Sequence, residues 1–109
     1  MKIILKNDQA TIELGKLIAR EIESLKKSSI EIHLEGDLGT GKTFLTKSII
    51  KSSGWNEHVK SPTYTLCEEY DLGDLIFLHI EVLTKLFLIL FFVQQCSAVF
   101  HYETLVFDH

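Results

Sequence analysis

Eight consecutive residues constrain this chain more than any others: Gly36-Asp37-Leu38-Gly39-Thr40-Gly41-Lys42-Thr43. Ahead of them Ile30, Ile32 and Leu34 alternate with Glu31, His33 and Glu35, the period of a strand with one buried face. Behind them TFLTKSIIKSSG places Leu45, Ile49 and Ser52 on one side, with Phe44, Ser48 and Ile50 nearby, and ends at Gly54 as a helix C-terminus commonly does. The glycines let the backbone curl, so that loop amides converge on one point with the positive end of the following helix. The spacing G-x-x-x-x-G-K-[ST] in this strand, loop and helix context predicts a cradle for a nucleotide triphosphate. The Lys42 ammonium reaches the β and γ phosphates, and the Thr43 hydroxyl coordinates a Mg²⁺ bridging them. At Asp37 and Thr40 the backbone N–H groups, not the side chains, are expected to meet phosphate.

The rest of the chain reads as supporting structure. Lys2 to Leu5 is a candidate first strand. Asn7 and Asp8 can cap a helix along which Leu14, Ile18, Ile22 and Leu25 form an apolar stripe, leaving Glu13, Lys16, Arg20, Glu23 and Lys27 as a solvated face. Val59 to Tyr70 is expected to be extended with a bend at Ser61 and Pro62, and Leu75 to Ile80 to be an apolar strand. From Val82 onward, KLFLILFFV suggests a buried strand, and an irregular tail follows. His33 has no second metal ligand at a useful spacing and reads as structural.

At 109 residues the chain is about one domain, and its formal net charge of −4 opposes direct neutralisation of a nucleic-acid backbone. Cys67 and Cys96 are too few for a disulfide framework or zinc site, are each expected to be a small buried hydrophobe, and fit a reducing, cytoplasmic setting. The N-terminus lacks a secretory apolar stretch, and the longest apolar run, Leu86 to Val93, falls short of the ~20 residues that span a bilayer, so no membrane association is expected.

A triphosphate site also needs an acidic group to hold the metal or its water shell and a polar residue to orient the attacking water. Thr63, Glu68, Glu69, Asp71, Asp74 and Glu81 are the candidates, and Glu81 is best placed, directly after the apolar strand.

The segments GDLGTGKT, VKSPTYTLCEEY and LIFLHIE, with TIELGKLIA near the N-terminus, resemble the TsaE (YjeE) family of bacterial P-loop ATPases over about residues 8 to 81. The resemblance implies an α/β fold of the P-loop NTPase kind, a three-layer sheet with flanking helices, incomplete at the C-terminus. It implies ATP and Mg²⁺ as cofactors, with Gly36, Asp37, Leu38, Gly39, Thr40, Gly41, Lys42 and Thr43 as the phosphate loop. Ser61 to Thr65 matches the family's switch-like segment, in which Thr63 senses the γ phosphate or its metal. Catalysis would then rest on Lys42, Thr63 and Glu81, and metal binding on Thr43 and Glu81. Family members support threonylcarbamoylation of adenosine 37 in tRNAs that read codons beginning with A. They hydrolyse ATP while docked to the TsaB and TsaD subunits, so tRNA contact is expected only indirectly.

The match weakens beyond the strand. Where the family has H-x-D-x-Y-R, this chain has His79-Ile80-Glu81 followed by Leu83 and Thr84, and the family's later acidic-Trp-Pro motif is absent, the only Trp being Trp55 and the only Pro being Pro62. The expected division is a P-loop ATPase core over 1–81 and a divergent apolar segment over 82–109, arising by truncation or frameshift. An alternative is therefore a remnant that binds nucleotide or partner with impaired turnover. A small-molecule kinase is a weaker reading, because no cluster of basic or paired acidic residues suggests an acceptor site.

Overall fold

The computed structural model describes residues 7–25, 29–36, 41–59, 67–82, 85–93 and 101–106. Among these residues are two helices, α1 (Asp8–Leu25) and α2 (Lys42–Ser52), and five strands: β1 (Ser29–Glu35), β2 (Cys67–Asp71), β3 (Leu75–Val82), β4 (Lys85–Phe92) and β5 (His101–Val106). The strands form one sheet in the order β2-β3-β4-β1-β5. Only β5 runs parallel to its neighbour β1; the other pairs are antiparallel. The architecture is the α/β sheet with flanking helices expected from the sequence, and the chain from β1 reaches the far edge strand, β2, by way of α2. The predicted Lys2 to Leu5 strand and the Ser61–Pro62 bend lie outside the described residues.

Alternation along the strands decides which face is covered. Ile30, Ile32 and Leu34 of β1 stand opposite Leu90, Leu88 and Leu86 of β4, and all six are buried. Phe77 of β3 continues the row, opposite Leu90 and Tyr70. These side chains join Ile22 of α1 and Leu45, Ile49 and Ile50 of α2 in one apolar cluster. Full burial of a Leu or Phe side chain contributes roughly 1.5–3 kcal/mol, so this layer anchors α2 against the strand that feeds it. On the opposite face His33 pairs with Glu31 at 3.0 Å and meets the Phe87 ring edge-on at 4.8 Å. That location agrees with a structural reading of His33.

α1 starts as its cap predicts: the Asn7 Oδ1 accepts a hydrogen bond from the Ala10 amide at 2.8 Å, and Asp8 sits in the first turn where the helix dipole favours a negative charge. Its buried edge, however, is Thr11, Gly15, Ala19 and Ile22, whereas Leu14 and Ile18 only border the core and Leu25 is exposed. The predicted stripe is rotated because α2 approaches so closely that only small residues fit. A Cβ at Gly15 would lie 2.1 Å from the Ser48 Oγ, which itself donates a hydrogen bond to the Ile12 carbonyl at 3.1 Å.

Three further expectations change. Cys67 is exposed, because it begins an edge strand and points away from the covered face, and Cys96 lies outside the described residues. Ser52, expected on the apolar side of α2, is exposed, and Thr46, Ser48 and Ile50 share the buried side with Leu45 and Ile49. His101–Val106, expected within an irregular tail, is a strand whose register with β1 supplies the hydrogen bonds that local turn signals did not announce. Among the described residues, no helix is long and apolar enough to cross a membrane.

Candidate nucleotide-binding site

β1 delivers the chain to Gly36, and α2 begins at Lys42, so the glycine-rich loop spans the end of a strand and the start of a helix. Positions 37 to 40, with Asp37, Leu38, Gly39 and Thr40, lie outside the described residues, and so does Thr63. At the far side of the loop Gly41 adopts φ 102° and ψ 8°, a left-handed conformation that residues with a Cβ rarely tolerate. Gly41 caps α2 without a side-chain hydrogen bond. Amides of a helix's first turn have no acceptor within the helix, so this start presents N–H groups and the positive dipole end to an anion.

Lys42 is buried, 8% exposed, and its Nζ donates to the Gly36 carbonyl at 2.5 Å, tying the two ends of the loop together. The Lys42 carbonyl in turn accepts from the buried Thr46 hydroxyl at 3.0 Å, which anchors the first turn. Thr43 is one residue further along, and its hydroxyl donates to the Glu81 Oε1 at 2.6 Å. Glu81, expected just after its strand, lies within β3, whose pairing with β4 continues to Val82 opposite Lys85. This longer strand fixes the carboxylate in position opposite Leu86.

His79 completes the group. It is fully buried, and its Nε2 lies 3.1 Å from the same Glu81 Oε1. In the sequence this histidine stands out only as part of the family motif. The available signal was its spacing: residues i and i+2 of a strand share a face, so His79 had to lie beside Glu81. Glu68, on β2, stands opposite His79 in the antiparallel register and is partly buried, whereas Glu69, Asp71 and Asp74 are exposed. Of the acidic candidates, the structure therefore brings Glu81 to the loop and places Glu68 behind His79.

Burial lowers the His79 imidazole below its ordinary pKa, while Glu81 and, more weakly, Glu68 oppose the shift and Lys47 adds to it. The unfolded chain takes up the proton near 6.5 and the folded chain only at lower pH, so the unfolded state holds more protons in between. The contribution to stability is complete above about pH 6.5 and is lost as the pH falls toward the folded-state value. Thermal melting of the metal-free protein between pH 8 and 5.5 should show this loss, and His79→Gln, which does not titrate, should flatten that part of the profile. Parallel profiles for the two proteins would contradict the assignment.

Thr43 and Glu81 offer two hard oxygens 2.6 Å apart at a partly exposed position. The Thr43 oxygen keeps its lone pairs when its proton is donated, and the Glu81 carboxylate has a second oxygen, so the two residues are donors of the class that Mg²⁺ takes. Among the described residues there is no group of three His, Cys, Asp or Glu side chains able to cage a metal. Mg²⁺ does not need one, because it is usually held by one or two protein groups together with phosphates and water.

Comparison with known proteins identifies the family. The sequence profile described as Threonylcarbamoyl adenosine biosynthesis protein TsaE matches residues 5–84. The chain is similar to proteins named tRNA threonylcarbamoyladenosine biosynthesis protein TsaE. The Haemophilus influenzae protein is 39% identical over 72 residues, which cover 65% of this chain and 46% of that protein. The Bacillus subtilis protein is 40% identical over 70 residues, covering 64% and 44% respectively. The Aquifex aeolicus protein is 36% identical over 83 residues, covering 74% and 59%. The chain thus spans about half the length of the curated relatives it matches. No solved structure matches. With the family profile covering most of its length, including the loop, His79 and Glu81, the chain belongs to the TsaE family.

Proposed function

We propose that this protein binds ATP with Mg²⁺ and hydrolyses it as an accessory subunit of the machinery that installs N6-threonylcarbamoyladenosine at position 37 of tRNA. The observation that carries the reading is the junction of α2 and β3, where Lys42 closes the loop and the Thr43 hydroxyl meets Glu81 at 2.6 Å. In this reading the loop amides and Lys42 bind and orient the triphosphate, and Thr43 and Glu81 hold the metal. Mg²⁺, when bound, neutralises charge on the phosphates and makes the terminal phosphorus more electrophilic. Thr63, carried over from the family motif, senses the γ phosphate or its metal. TsaB and TsaD are the proposed partners, with tRNA reached through them and the cytoplasm as the setting. The role in threonylcarbamoyladenosine biosynthesis that the relatives' names carry supports this assignment, as does the acidic balance of the chain, which disfavours direct tRNA binding.

A second reading, nucleotide binding with impaired turnover, is favoured by one specific feature. Leu83 and Thr84 stand where the family motif continues with Tyr-Arg, so groups that complete the site elsewhere in the family are missing here. Calorimetric titration with ATP, with and without Mg²⁺, combined with phosphate release, separates the two. Tight Mg²⁺-dependent binding with release supports the ATPase, binding without release supports the second reading, and no binding refutes both. Thr43→Ala is expected to leave metal-free ATP affinity within about twofold while removing most of the Mg²⁺ enhancement, since a hydroxyl ligand is lost and the loop amides are not. Undiminished Mg²⁺ dependence in that variant would show that Thr43 is not a ligand.

A further inference from the structure

We propose that His79 is a positioning residue that holds the Glu81 carboxylate in its metal-binding orientation. The proposal rests on the nucleotide-binding reading and deepens it at the same site. An ionised carboxylate offers only acceptors, so the imidazole nitrogen 3.1 Å from it must carry the proton, and Nε2–H donates to the Glu81 Oε1. The Thr43 hydroxyl donates to the same oxygen at 2.6 Å. Two donors from different elements, one on α2 and one on β3, therefore converge on one oxygen. Because Thr43 contributes its proton to this bond, the lone pairs of its oxygen are left for a cation. Oε2 lies outside this pair of bonds.

A purely structural histidine would not be built this way. His79 sits in the row of β3 side chains that carries Leu75 and Phe77, facing Leu88 across the sheet. An apolar residue would fill that position without leaving a polar atom buried. With Nε2–H committed to Glu81, the other ring nitrogen, Nδ1, is an acceptor, and it is buried with no hydrogen-bond partner among the described residues. An unsatisfied buried acceptor costs stability. What that cost secures is the restraint on Glu81, a side chain with one more rotatable bond than Asp and so more need of a fixed partner.

The test uses the full chain, ATP and Mn²⁺, a paramagnetic probe for the Mg²⁺ position. His79→Leu removes the donor, whereas His79→Gln retains an N–H at similar reach. In the ATP-saturated protein His79→Leu is expected to weaken Mn²⁺ binding by about tenfold to a hundredfold, as loss of groups that orient metal ligands typically does. Metal-free ATP affinity should change less than about twofold, and His79→Gln should recover most of the metal affinity. Equal Mn²⁺ affinity in the wild type and His79→Leu would overturn the proposal. So would equal weakening in both variants, because a packing role would not distinguish a retained N–H. Nitrogen NMR of the wild-type imidazoles provides a second arm that needs neither a substituted histidine nor bound nucleotide. His79 should be the Nε2–H tautomer, with a resonance that moves when Glu81→Gln is introduced. An Nδ1–H tautomer, or no response to that change, would reject the proposal. Failure of the wild-type protein to bind ATP at all would instead reject the nucleotide reading, leaving the NMR result to decide whether His79 orients Glu81.

Discussion

Lys42→Ala should lower ATP affinity by about a hundredfold or more while leaving the melting temperature nearly unchanged. Lys42 is the buried cation of the loop, 8% exposed, and its Nζ holds the Gly36 carbonyl at 2.5 Å, at the mouth of the segment that would receive the triphosphate. Truncating one member of a buried, hydrogen-bonded charge pair costs roughly 2–5 kcal/mol of binding, and about 1.4 kcal/mol is tenfold in affinity. The fold should tolerate the change because the ammonium sits at the start of α2, away from the cluster formed by Leu45, Ile49 and the strand leucines. Lys42→Met, which keeps the stem but not the charge, should bind as weakly as the Ala variant, separating electrostatics from packing. Isothermal calorimetry with ATP reads both variants. Affinity within twofold of wild type in either one would remove Lys42 from the site.

Gly15→Ala should destabilise the protein by about 1–3 kcal/mol even though alanine is the better helix former. The added Cβ would meet the Ser48 Oγ at 2.1 Å, the Ser48 Cβ at 2.5 Å and the Ile49 amide nitrogen at 3.2 Å. Rotating the Ser48 side chain relieves only the first of these and breaks its hydrogen bond to the Ile12 carbonyl. α1 must therefore move off α2, at the roughly 1–3 kcal/mol typical of overpacking plus about 1 kcal/mol for the lost bond, offset by about 1 kcal/mol of helix propensity. The distances also predict which second change rescues it. Ser48→Gly, which removes both offending side-chain atoms, should recover part of the loss, whereas Ser48→Ala, which keeps the Cβ at 2.5 Å, should not. Chemical denaturation of the single and double variants measures these energies, and equal rescue by both would show that the contact is not the cause.

Local signals made the central part of the fold legible in the sequence. The alternation of Ile30, Ile32 and Leu34, the Asn7 cap and the start of α2 at Lys42 each depend on neighbouring residues, and each appears where it was expected. What could not be read depends on partners distant in the chain. The buried edge of α1 turns toward Gly15 and Ala19 because of how near α2 lies, which no periodicity within α1 encodes. β5 forms through pairing with β1, some seventy residues earlier, and Cys67 is exposed because β2 is an edge strand. At the candidate site, motif and strand position point to Lys42, Thr43 and Glu81, and the structure brings Thr43 and Glu81 within hydrogen-bond distance. His79 beside Glu81 was implied by their i, i+2 spacing, but the convergence of Thr43 on the same oxygen depends on how α2 packs over β3 and was not legible.

β4 lies between β1 and β3, and it begins at Lys85, immediately beyond the stretch that matches the family profile. Adjacent strands are about 4.8 Å apart, so the strand leading into the glycine loop and the strand bearing the carboxylate are separated by about twice that. From β3, Glu81 reaches the start of α2 across that width and meets the Thr43 hydroxyl. Glutamate extends roughly 1.5 Å further than aspartate along an extended side chain. The Thr43–Glu81 hydrogen bond is thus a tie across the interposed strand, joining the helix that follows the glycine loop to a strand that is not its neighbour in the sheet.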